Sequence, residues 1–127
     1  MKSCRLTITT VADGQKTELS CEGQLSLSTC SATLCYQQDG ANVSLVLEGE
    51  TAKIERTGDY SLRLFLKRGE ETGGELILGG NDGQMRVYAH RICYSVGKDS
   101  LLASLHYDLL FATDKQEMKL RILARFI

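Results

Sequence analysis

The sequence predicts an all-β fold, an antiparallel up-and-down meander of about ten strands that closes into a β-barrel. Three observations lead there. Apolar and polar residues alternate along most of the chain, with β-branched and aromatic residues inside the alternating runs. Gly- and Asp-containing turn signals punctuate those runs at short intervals. Proline is absent from the 127 residues, as suits long uninterrupted strands.

The strands follow in order. The first, 3–12, alternates Leu6 and Ile8 with Arg5, Thr7 and Thr9 and stops at Asp13-Gly14. The second, 15–28, returns from that turn. The third, 32–38, ends at Asp39-Gly40, and 43–48 and 51–57 follow, the latter closed by Gly58-Asp59. Strand 61–67 sets Leu62, Leu64 and Leu66 against Arg63, Phe65 and Lys67. Residues 67–74, rich in Gly and Glu, read as a flexible loop. Strand 75–80 leads to an Asp82-Gly83 turn, 84–96 to Gly97-Lys98-Asp99, 100–112 to Asp114-Lys115, and 116–126 completes the chain. Short connections make sequential strands antiparallel neighbours, and ten strands in an open meander would expose costly edges, so closure is expected. A β-sandwich of hairpins is the alternative.

Composition bounds the function. A chain of 127 residues is one domain, 1–127. A formal net charge of −1 gives no global pull toward nucleic acid or anionic membrane, and neither is expected as a partner. No stretch approaches the roughly 18 apolar residues of a span, and Met1-Lys2-Ser3-Cys4-Arg5 has no apolar signal core, so a cytoplasmic location is expected. The five cysteines, at 4, 21, 30, 35 and 93, include no CxxC, and only two histidines accompany them. They read as reduced thiols, with no metal and no cofactor expected.

Hairpin register assigns faces. A two-residue turn at Asp114-Lys115 opposes Phe111 to Met118, Leu109 to Leu120 and Tyr107 to Ile122, and on the other face Asp108 to Arg121. A three-residue turn at 97–99 opposes Met85 to Phe111, Val87 to Leu109, Ala89 to Tyr107, Arg91 to Leu105 and Cys93 to Ala103. A hairpin around Gly58 opposes Ile54 to Leu64, Ala52 to Leu66 and Arg56 to Leu62, and a two-residue Asp82-Gly83 turn opposes Leu78 to Val87. Two arginines, Arg56 and Arg91, then fall on the apolar face, where an unpaired guanidinium would be expensive. They suggest a lumen that takes an anionic ligand, with Tyr107, Phe111, Met85, Leu64 and Phe126 as its apolar wall. Alternatively, each lies near a barrel mouth with its head in water or on a local partner.

The outer face gathers Tyr88, His90, Tyr94, His106 and Arg121, with Asp108 among them. Two cross-strand histidines and a carboxylate form a set that binds transition metals in other proteins. On a convex, solvated face the plainer reading is a decorated surface. There is no GxSxG, no phosphate-binding loop and no HExxH, so the chain is expected to be non-enzymatic.

The ordered set Gly23, Leu34-Cys35-Tyr36-Gln37-Gln38, Ile54-Glu55-Arg56-Thr57-Gly58, the Gly83 hairpin and Leu105-His106-Tyr107-Asp108-Leu109 resembles the YwiB-like family of uncharacterised bacterial proteins. Glutamines follow Tyr36 where that family often has acidic residues, and Leu76-Ile77-Leu78-Gly79 replaces its usual tyrosine and threonine. The resemblance implies a bacterial, calycin/lipocalin-like β-barrel and no established activity. Two readings of function result: a binder of a small, partly apolar or anionic ligand in the barrel interior, or a protein-interaction module with a filled barrel, acting through its outer sheet face or as a homodimer.

Overall fold

The computed structural model describes all residues, 1–127. Ten antiparallel strands form one closed barrel: β1 Lys2–Ala12, β2 Gln15–Leu27, β3 Ser31–Gln38, β4 Ala41–Glu48, β5 Thr51–Thr57, β6 Tyr60–Lys67, β7 Glu71–Leu78, β8 Asn81–Val96, β9 Ser100–Leu110 and β10 Lys115–Phe126. The meander closes because β1 pairs with both β2 and β10, the latter from Cys4 opposite Phe126 to Ala12 opposite Met118. That pairing occupies the two edges an open sheet would expose. A clasp reinforces it: Asp13 N–H donates to Glu117 O, and Glu117 N–H donates to the Asp13 carboxylate, each at 3.0 Å.

Turn chemistry places the strands. Asp13-Gly14, Asp39-Gly40 and Gly79-Gly80 hold positive φ at both positions, the primed geometry that matches strand twist. The third of these corrects the Asp82-Gly83 expectation: Leu78 opposes Asn81, Leu76 opposes Gly83, and Val87 opposes Thr72. Residues 71–74, read as part of a loop, begin β7 instead. Their glycines carry little strand preference, but Gly74 is needed where it stands, since a Cβ there would lie 2.8 Å from Leu64 Cδ2.

The interior is filled. Twenty-two buried residues form one cluster, led by Leu6, Leu25, Leu34, Leu47, Leu64, Leu66, Leu101, Leu105 and Ile122. Ala32, Ala52, Ala89, Ala103 and Ala124 alternate with them, the small-and-large fit that packs a narrow barrel solid. Gly23 lets β2 approach closely, because a Cβ there would meet Cys35 O at 2.5 Å. No helix is long and apolar enough to cross a membrane.

Of the other three expected registers, one held and two moved. Between β5 and β6 the pairs Ile54–Leu64, Ala52–Leu66 and Arg56–Leu62 stand as expected, with Glu55 opposite Arg63 among them. Between β9 and β10 the turn is longer, 111–114, so Tyr107 opposes Met118, Leu105 opposes Leu120 and Asp108 opposes Glu117 rather than Arg121. The slip is even, so the strand residues keep their faces, and the slipped pairs stay apolar except where Leu109 meets Gln116. Between β8 and β9, Val87–Leu109 and Ala89–Tyr107 pair as expected, with Tyr88 opposite Asp108 between them, then a β-bulge at His90 shifts the ladder to Arg91–His106, Ile92–Leu105 and Cys93–Ser104. The bulge sits where β7 runs out: its last pair is Glu71 with Tyr88, and the loop at Gly69 then donates to Ala89 O at 2.8 Å.

Candidate functional site

The expected lumen residues divide. Tyr107 and Leu64 are buried in the core, and Met85 and Phe126 are half-buried against it. All four serve as filling. Phe111 is exposed, because β9 ends at Leu110 and leaves it in the turn, where its N–H donates to Asp114 O at 2.8 Å. Arg91 is exposed too, since the one-residue bulge turns it outward and brings Ile92 into the core in its place.

Arg56 keeps its inward face at the end of the barrel and finds its partners within its own hairpin. Nη1 donates to Tyr60 O at 2.8 Å, Nη2 donates to the Asp59 carboxylate at 2.9 Å, and the guanidinium lies 3.7 Å from the Tyr60 ring centre. The Arg56 hydrogen bond holds the Asp59 carboxyl below its ordinary range. Nearby burial pushes Tyr36 up to about 12 and raises Tyr107 further still, so both phenols stay neutral within the barrel. At least half of the residues lining each of the main concavities are polar, charged or glycine. The largest, about 430 Å³, crosses the outer face of β2 to β5 beside Glu22, Gln24, Cys35, Gln37, Ser44 and Glu55.

The outer face of β8, β9, β10 and β1 carries more chemistry. Tyr94, expected there, turns inward beyond the bulge, packs against the core and donates its hydroxyl to Cys30 O at 3.2 Å. The same shift turns Cys93 outward. Leu102 and Leu123 oppose each other across β9 and β10 and stand 46% and 48% exposed. Each floors its own shallow concavity, of about 360 Å³ with Arg91 and Arg121 and of about 380 Å³ with Arg5 and Arg125. Arg5 opposes Arg125 across β1 and β10, and Arg121 opposes Ser104. Arg5, Arg91, Arg121, Arg125 and Lys119 make no ion pair in the chain. Sequence reasoning found Arg121 and missed this array. Its members come from β1, β8 and β10, and only closure brings the first and last strands together.

A second cluster lies on the same face at the bulge. His90 Nε2 is 2.7 Å from Asp108 Oδ2, and His106 Nε2 is 3.2 Å from Glu117 Oε2. The two imidazole centres lie 4.6 Å apart, and Tyr88 packs edge-on to His90 with ring centres 4.8 Å apart. Asp108 is the one buried charged residue of the chain.

These features define a class: a closed, ten-stranded antiparallel barrel with a solid interior, whose chemistry is displayed on its outer wall. The chain belongs to the family described as "Domain of unknown function (DUF1934)", which matches residues 3–122. This bears out the resemblance carried by its ordered motifs. The crystal structure of YwiB protein from Bacillus subtilis is similar to it, with a TM-score of 0.85 over 99% of this chain and 92% of that one. At 13% identity the likeness is one of fold. No curated protein matches the chain.

Proposed function

We propose that this protein is a non-enzymatic interaction module, and that the outer face of β8, β9, β10 and β1 docks an acidic partner protein that also presents apolar side chains. The observation that carries this reading is the pair of exposed, mutually opposed leucines ringed by arginines that have no partner in the chain. Arginines left without counterions favour a complementary acidic surface, which speeds encounter and fixes orientation. Exposed leucines at the centre supply apolar area that is released from water on docking. A second copy placed face to face would oppose arginine to arginine, so a symmetric homodimer through this surface is disfavoured. The packed interior weighs against the alternative reading, a ligand held in the lumen.

The test is a titration of the folded chain, followed by NMR, with a peptide of alternating Glu and Leu and separately with a single-stranded RNA oligomer. The expected result is saturable peptide binding, with shifts centred on Leu102, Leu123, Arg121 and Arg125. The double variant Arg121→Glu, Arg125→Glu should abolish it. Shifts confined to other strands would sink the proposal. Preferential binding of the RNA with a steep salt dependence would replace the acidic protein with a nucleic acid.

A further inference from the structure

The cluster at the β8 bulge is separate from the arginine-ringed leucines and invites its own reading. We infer that His90, His106 and Asp108, supported by Glu117, form a surface site for a divalent first-row transition metal ion. One ligand atom from each of the first three residues lies within 4.8 Å of the others. Around an ion bound at about 2.0–2.1 Å, tetrahedral ligand atoms are roughly 3.3 Å apart. His90 and Asp108 are already closer than that, at 2.7 Å, so small side-chain rotations by His106 close the set. Two imidazoles and a carboxylate are the donor types that suit zinc, iron, nickel and copper, with solvent or a fourth group completing the sphere. Glu117 is placed to be that fourth group: it opposes Asp108 across the strands and already hydrogen-bonds His106.

The backbone shows how the site is built. Without the bulge, one residue of β8 would stand against His106. With it, Arg91 takes that position and His90 becomes the extra residue beside it, its ring beside that of His106 and on Asp108. Tyr88 covers the other flank of His90 and opposes Asp108. Arg91 and Lys119 both oppose His106, and their charge disfavours a cation. The carboxylates of Asp108 and Glu117 offset them, and the buried Asp108 acts at the shorter range.

The probe is Zn²⁺ alone, measured by calorimetry on the full chain, with Co²⁺ absorption reporting the donor atoms. Wild type is expected to bind one Zn²⁺ in the micromolar range or tighter, with a Co²⁺ spectrum that lacks thiolate charge-transfer bands. His90→Gln and His106→Gln lie at the surface and should fold normally, and each should weaken Zn²⁺ by at least about 10–100-fold. Asp108→Asn should do the same if it folds, and the histidine variants carry the test if it does not. The double variant Cys30→Ser, Cys93→Ser removes the exposed thiols and should leave affinity unchanged. The inference is overturned if wild type binds no Zn²⁺ below millimolar concentration, if both histidine variants bind like wild type, or if affinity disappears with the two cysteines.

Discussion

The β5–β6 and β8–β9 hairpins begin from the same sequence logic and end differently. Both alternate regularly, and by that alternation both place an arginine on the apolar face. In β5–β6 the ladder is unbroken, and Arg56 faces inward opposite Leu62. It is tolerated there because its own turn supplies a carbonyl, a carboxylate and an aromatic face. In β8–β9 no such partners surround Arg91, and one extra residue, His90, turns it out to solvent. The contrast shows two solutions to one problem. A guanidinium on an apolar stripe either brings its partners with it or is moved off the stripe by a bulge.

The sharpest way to break the comparison is Ile92→Arg, which puts a guanidinium on the stripe that the bulge keeps apolar. Ile92 is buried in the core, and unlike Arg56 it has no turn beside it to supply a carbonyl and a carboxylate. A loss of about 3–5 kcal/mol is expected from the unpaired interior charge, enough to unfold a barrel of ordinary stability. Urea denaturation checks it, and a variant within about 1 kcal/mol of wild type would mean that residue 92 does not face the core.

Exchanging each arginine for leucine sharpens the comparison at a smaller scale. Arg56→Leu removes two hydrogen bonds and the Tyr60 stacking, and should cost about 1–2 kcal/mol after allowance for its partial exposure. Arg91→Leu lies at the surface and should stay within about 0.5 kcal/mol. Equal effects in the two variants would erase the distinction.

The smallest effect is a pH dependence. Arg56 holds the Asp59 carboxyl below its ordinary value of 3.8, so folding favours the charged form. The stabilisation is therefore present above that value and is lost as pH falls through the lower folded value. Asp59→Asn should flatten the acid limb of the stability curve slightly, and Arg56→Leu should flatten it by the same amount. At the alkaline end the sign reverses. Tyr36, raised from 10.0 to about 12 by burial, favours the neutral phenol in the fold, so stability should fall between those values as pH rises. Tyr36→Phe should lessen that decline in alkaline denaturation followed by circular dichroism, the remainder coming from Tyr107, raised in the same direction.

Much of the fold was legible because strand alternation is a local property. Every strand was anticipated in number and order, and Asp13-Gly14 and Asp39-Gly40 announced their turns by the residue types that accept positive φ. Asp82-Gly83 misled because it carries the same signal as Gly79-Gly80, and the choice between them rests on which register packs. The four-residue turn after Leu110 was hidden for a related reason: Tyr107 finds an apolar partner in Met118 as readily as in Ile122.

The candidate site was legible in part. His90, His106 and Asp108 stood out as a cross-strand group, and Arg121 as their neighbour. Tyr94 was assigned to the wrong face because the bulge inverts everything after it, and Leu102 and Leu123 were passed over because single exposed leucines mean little until they are seen together.

By itself, then, the sequence determined the class of element, its repetition and the inward stripe, since each depends on residues close along the chain. Only the tertiary structure decided three other things: the register in which β1 meets β10, the bulge that separates Arg91 from the core, and the gathering of unpaired arginines around two leucines. Each depends on how strands pair with one another, and alternation with a period of two does not distinguish one partner, or an even shift, from another.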